Sequence, residues 1–366
     1  MLKKLISNSF LKNSIVLMGI LFFGACDKNG GKLSQVNFDQ KPMLQNWAQH
    51  IIVPAYAEFN SNLQQFSLLS DSLVNKPSNE LLISLQKNFK QVYLSFQAVK
   101  CFEFGPASNI SYKAMLNTYP CDTIKIVQNA QQANYNLSTA ANADAIGLPA
   151  IDFLLFSCAD ELLNNAALRL YLQQCVNQVG NLTSQVVQEW NNGYSQQFTT
   201  AIGTDMGSSL GLVINALNKD YELIKNAKIG FPAGKKTLGQ TFPNACEAVY
   251  ADLSTELLAA NITSIYNLYQ GLHFNSTQRG PSLQDYLKET KISYYDEMLD
   301  QAIALQFEKA ITAVQNIEQP LSKVISQQSS LIDEAYLEIQ KNIVLLKTDL
   351  PSALGVLITY QDNDGD

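Results

Sequence analysis

The stretch Asn142 to Asp160, NADAIGLPAIDFLLFSCAD, decides how the chain is read. A polar connector runs into Ile146-Gly147-Leu148-Pro149 and then into an apolar run. Proline has its φ already set for a first helical turn and lacks only an N–H that would be unpaired there. The sequence therefore predicts a helix start, continuing over 149–164. Asp152 falls inside that first turn, where unpaired backbone N–H groups and the positive end of the helix dipole favour a carboxylate. Taken alone, the segment reads as a helix with an acid at its start.

Working outward, the same helical spacing recurs on both sides. Leu44, Trp47, Ile51, Ala55, Phe59, Leu63 and Phe66 fall at gaps of three and four, which predicts a helix over about 41–74 with a kink at Pro54. Ser78, a good N-cap, opens a second helix that Gly105-Pro106 stops. Residues 107–143 read as short helical pieces broken at Tyr119-Pro120, and a long helix covers about 166–202. The glycines between 203 and 211 mark the best interior boundary. Beyond it, helices are expected over about 208–228, 244–271, 293–318 and 321–349, with a short one after Gly280-Pro281. Leu321, Val324, Ile325, Ile332, Ala335, Ile339, Ile343, Leu346 and Leu350 form one apolar stripe. No stretch sustains strand alternation. The expected fold is all-α, with two helical bundles at 40–204 and 205–366. No residue-level repeat relates them.

At 366 residues, with 46% hydrophobic and only 16% charged residues, the chain can bury sizeable cores and is long enough for two domains. Its start has the pattern of a lipoprotein signal: Lys3, Lys4 and Lys12, an apolar run from Ile15 to Phe23, then small residues before Cys26. Cleavage before Cys26 would leave a lipid-bearing cysteine, a flexible tether over 26–39 and a membrane-anchored body. It would also remove three lysines and no acid, moving the formal charge from −7 to −10, which argues against a nucleic-acid partner. Five cysteines remain. Cys101 and Cys121 flank a Gly-Pro excursion and could pair or pack as thiols, whereas Cys158, Cys175 and Cys246 read as core residues.

A resemblance covers nearly the whole mature chain. Gly147-Leu148-Pro149-Ala150-Ile151-Asp152 stands where imelysin-like proteins carry a Gly-x-His-x-x-Glu signature. Other landmarks follow in family order: Asn46 to Tyr56, Phe102 to Pro106, Tyr119 to Asp122, Ile229 to Lys236, and Leu350 to Val356 with Ile358 to Tyr360. The chain departs from the signature at two places, with Pro149 in the histidine position and the shorter Asp152 in that of the glutamate. The resemblance implies two related helical domains, an ancient duplication, with a functional site between them. It also implies iron or haem as cargo, envelope uptake components as partners, and a bacterial envelope address at the outer membrane facing periplasm or cell surface.

The residues expected at that site are Gly147, Pro149 and Asp152 with Glu103, Gly105 and Asp122, and Gly230, Pro232, Gly234 and Lys235 of the second half. Glu103 lies between large apolar residues at a helix C-terminus, where an acid opposes the dipole and needs a partner, Lys235 or Lys236 being candidates. The 230–236 loop could present N–H groups and ammoniums to an anion, or simply connect helices. Asp152 and Glu103 are the candidate metal ligands. A zinc peptidase needs about three protein ligands and a general base. The chain has only two histidines, His50, read as packed or surface, and His273, read as capping a helix end. The tail Asp362 to Asp366 begins like a calcium loop but reads as a solvated end. The sequence thus points to a non-catalytic binding lipoprotein, with a metal-dependent peptidase and an accessory scaffold lipoprotein as rivals.

Overall fold

The computed structural model describes residues 38–132, 135–327 and 329–360. The expected signal segment, Cys26 and the terminal acidic tail lie outside the described residues. The described residues belong to one compact unit. The fold is all-α, and among the described residues the only strands are a hairpin of two-residue strands, Ser293–Tyr294 and Glu297–Met298.

In the first half the helix Val53–Asn75 packs against Asn79–Gln97 and Ala166–Glu189. The Asn79–Gln97 helix starts where the sequence placed it, with the Ser78 hydroxyl accepting the Leu81 N–H at 3.3 Å. Between these helices Phe59, Phe66, Phe89, Tyr93 and Phe96 are buried, with ring centres 5.4 to 6.5 Å apart in tilted and edge pairs, the geometry that aromatic quadrupoles favour. In the second half Ser254–Gln270, Leu299–Gln315 and Ser330–Val344 form the core, with Phe307 between Tyr221, Tyr266 and Tyr269. The halves meet where Asn79–Gln97 lies against Ser254–Gln270. Gly203, in the expected boundary, ties back to the first helix through its N–H on Gln40 at 2.8 Å.

The expected kink at Pro54 takes the form of a wide π turn, Trp47–Ile52, that joins helix Gln40–Asn46 to Val53–Asn75. In an α-helix the His50 carbonyl would pair with the N–H of residue 54, which proline lacks. That carbonyl instead accepts the Phe274 N–H of the second half at 2.8 Å.

Several expected boundaries are corrected. Residues 244–253 are not α-helical: a 3-10 turn, Pro243–Ala245, leads into turns with Ala248 and Asp252 in left-handed conformation, and the α-helix begins at Ser254. The stretch from 293 begins as the hairpin, so its helix starts at Leu299. The last stripe is divided into Leu321–Ser326, Ser330–Val344, a π turn Leu345–Asp349 and Leu350–Leu354. Phe38 and Asp39, expected in the tether, belong to the fold: Phe38 stacks on Tyr286 at 4.4 Å, and Asp39 caps the first helix.

Candidate functional site

Asp152 is the last residue of the helix Gly147–Asp152, and a π turn, Phe153–Ser157, continues from it. The helix starts two residues before Pro149, at Gly147, which has φ +76° and lies against the Leu116 carbonyl, a place no Cβ could occupy. Asp152 is 1% exposed and does not cap its own helix. Its two oxygens accept the backbone N–H groups of Tyr250 at 3.1 Å and Ala251 at 2.9 Å, in the turn between the left-handed residues Ala248 and Asp252. Phe153 and Tyr250 meet edge to face beside it, 5.3 Å between centres. The carboxylate therefore crosses to the second half, where a backbone turn rather than an open crevice receives it.

Burial pushes the Asp152 carboxyl up to about 7, against the two amide hydrogen bonds, with Asp252 and Glu247 adding to the rise. An acid whose folded pKa exceeds its unfolded value of about 3.9 contributes stability that is complete below that value and is lost as pH rises through about 7. The difference in unfolding free energy between the native chain and Asp152→Asn should therefore shrink between pH 4 and pH 7. Parallel urea titrations at a series of pH values check this, and a constant difference would show that the carboxyl stays ionised throughout.

Around this contact lies a larger ionic joint. Asp220, from helix Ser209–Leu223, is fully buried. It faces two lysines of the first half, Lys113 at 3.2 Å and Lys100 at 3.5 Å, while Asn261 donates to its other oxygen at 2.8 Å and accepts from Lys100 at 2.9 Å. Burial alone would raise the Asp220 carboxyl, but Lys100 and Lys113 hold it well below the usual carboxylate range. A second pair, Lys228 and Glu247, is equally buried. Lys228 also donates to Gln97 at 2.8 Å, and Glu247 accepts from Asn117 at 2.6 Å, whose oxygen takes the Tyr93 hydroxyl at 2.6 Å. Burial lowers the Lys228 ammonium to about 8, with Glu247 opposing the drop. Glu247 itself is held low because Lys228 and Lys100 outweigh its burial. Each charge is matched by an opposite charge and hydrogen bonds, which is what a buried ion requires.

The other expected residues separate. Glu103 accepts the Lys113 backbone N–H at 3.0 Å, and burial raises its carboxyl. Lys235 is not its partner: it pairs with the exposed Asp333 at 2.6 Å. Gly105 has φ +53°, and the Tyr194 ring fills the space a side chain would need. Asp122 accepts the Lys125 N–H at 2.9 Å, at the start of helix Thr123–Gln132, and has no bond to Asp152. Gly230 and Pro232 are buried in the loop whose Gly234 and Lys235 line a separate cavity of about 620 Å³ with Ile325 and Ile332. All five described cysteines are free thiols, so Cys101 and Cys121 are not bridged.

Sequence reasoning did not single out Lys100, Asp220, Lys228 or Glu247. The signal was present, since Asp220 and Lys228 fall on the buried phase of Leu217, Tyr221 and Ile224. It also did not foresee that the two histidines meet. His50 and His273 stack with ring centres 4.4 Å apart and planes 13° apart, so His273 joins the halves rather than capping a helix. Desolvation and the His50 charge hold the His273 imidazole below its ordinary pKa. His273 also lines a groove of about 480 Å³ with walls from both halves, among them Glu58 and Gln91 on one side and Asn267 and Phe274 on the other.

These features define an all-helical body whose halves are clamped by buried charge and part at a polar groove. The imelysin family model, peptidase M75, matches residues 52–346. The chain belongs to the imelysin family. It is 21% identical over 291 residues to iron-regulated protein A of Synechococcus elongatus, covering 76% of each chain. A crystal structure from Parabacteroides distasonis, provisionally assigned as an iron-regulated protein A precursor, aligns with TM-score 0.71 at 15% identity over 86% of this chain and 95% of that one. An imelysin-like protein from Psychrobacter arcticum aligns with TM-score 0.67 at 17% identity, over 89% and 99%. The peptidase name implies a catalytic metal, and the residues here do not fit one. Pro149 has no donor atom, both Asp152 oxygens are taken by amides, and among the described residues no three His, Cys, Asp or Glu side chains cluster as ligands.

Proposed function

We propose that this chain is a non-catalytic, envelope-anchored ligand-binding lipoprotein with an iron-related role, held at the membrane through acyl chains on Cys26. Its cargo is an iron-bearing compound, a chelate or haem, delivered to or received from uptake components of the envelope. The observation that carries the binding reading is the groove of about 480 Å³ shared by both halves, within the size range of small-molecule sites. The iron character is carried over from the iron-regulated relatives. The lipid anchor rests on the Lys-rich start, apolar run and Cys26 of the sequence.

Calorimetric and spectral titration of the full-length chain in detergent with ferric salt, haem and ferric chelates tests the cargo. Saturable binding of at least one iron compound, with a Kd of about 10 μM or tighter, is expected. Absence of any saturable heat or spectral change would leave an accessory scaffold acting through a protein partner.

A further inference from the structure

The groove between the halves has a lining that selects by charge. Its described hydrogen-bonding side chains are carboxamides, hydroxyls, the His273 imidazole and a carboxylate, Glu58, with Asn62, Gln91 and Asn267 among the carboxamides. Among the described residues no lysine or arginine lines it. Lys90, next to Gln91 on the same helix, is held by Glu256 at 2.8 Å. The side chains of Glu58, Asn62, Gln91 and Asn267 make no hydrogen bond to another described residue, and all four are exposed or half-buried, so their polar groups face the space. Small residues, Ala55, Ala98, Ala259 and Ala260, also line it, which leaves room for a ligand beside the helix backbones. Phe274 and His273 give one end an aromatic wall.

From this lining we infer that the groove takes a neutral or cationic ligand rich in carbonyl and hydroxyl groups, and rejects polyanions. Carboxamides can donate to and accept from such a ligand at once. A dianionic or trianionic ligand would bring charge beside Glu58 with no cation to offset its desolvation. The inference rests on the binding role proposed above and narrows its cargo: a ferric trihydroxamate, neutral or singly positive, fits, whereas haem with two carboxylates and a ferric tris-catecholate do not.

The experiment titrates the full-length chain in detergent with four probes: a ferric trihydroxamate, haem, a ferric tris-catecholate and the iron-free neutral sugar maltotriose. It is repeated for Glu58→Lys, Gln91→Leu and Asn267→Leu. Glu58 and Gln91 are exposed, so these two variants retain the fold, and thermal melts verify all three. The trihydroxamate is expected to bind, with a loss of about tenfold for Gln91→Leu or Asn267→Leu, the size of one lost hydrogen bond to a ligand. Glu58→Lys should shift preference toward the catecholate. Binding of haem or the catecholate to the native chain as tightly as the trihydroxamate would overturn the inference. Trihydroxamate binding that ignores all three variants would overturn the groove assignment while leaving the iron-binding role standing. Maltotriose binding that is lost in the variants, with no iron compound bound, would support the groove chemistry and remove the iron cargo. No binding by any probe overturns both.

Discussion

Lys228→Met is expected to destabilise the protein by about 3–5 kcal/mol, because it leaves the Glu247 carboxylate buried without its counter-charge. Glu247 is 2% exposed and keeps the Asn117 amide at 2.6 Å and only the longer-range attraction of Lys100. Gln97 and the Leu257 carbonyl lose their donor in the same step. Methionine preserves the length and much of the volume, so the loss reports the missing charge rather than a cavity. The double variant Lys228→Met with Glu247→Gln removes both charges and keeps a group that can meet Asn117. It should recover most of the loss, since replacing a whole buried pair is often near neutral. Denaturant unfolding of the three proteins checks this. A double variant no more stable than the single one would show that Lys228 acts through packing or through Gln97.

Gly147→Ala is expected to cost about 2–5 kcal/mol, the sum of left-handed strain and forced displacement of packed backbone. At φ +76° an added Cβ would stand 2.4 Å from the Leu116 carbonyl oxygen, and that atom cannot swing aside as a side-chain tip can. Gly355→Ala provides the comparison: its φ is +69°, with nothing within 4 Å of the added carbon. It should show only the conformational part, about 1–2 kcal/mol. Equal losses for the two variants, measured by denaturant unfolding, would mean that the backbone at Leu116 yields without cost.

The helices were readable where local chemistry fixes them. Ser78 announces its helix because a hydroxyl ahead of an apolar period is a cap in almost any context, and it caps here. The 244–253 segment misled because Ala245, Ala248, Val249 and Leu253 mimic a helical period, whereas Ala248 and Asp252 turn left-handed around the amides that Asp152 collects. Strands of two residues at 293–298 are too short to show alternation. From its own segment Asp152 could be read only as an acid near a helix start, and a site shared with the second half came from the resemblance. The receiver of Asp152 could not be foreseen, because Tyr250 and Ala251 are joined to it only across about a hundred residues of chain and offer backbone, not side chains. Chain separation likewise hid Asp220 from Lys100 and Gln97 from Lys228, whereas Glu247, much nearer Lys228 in sequence, was hidden in the misread 244–253 turn. The groove was hidden for a different reason: Asn62, Gln91 and Asn267 look like the solvent face of any helix until two such faces are set opposite each other.

Pro54 lies away from the groove's polar lining, yet its imino nitrogen governs one wall. By withholding a proton from the carbonyl one turn earlier, it frees His50 to hold the backbone at Phe274 and thereby fixes the rim that carries His273. The dimensions of the entrance are thus written into the wiring of a helix, and drift in the residues facing a cargo can alter selectivity while the doorway keeps its width.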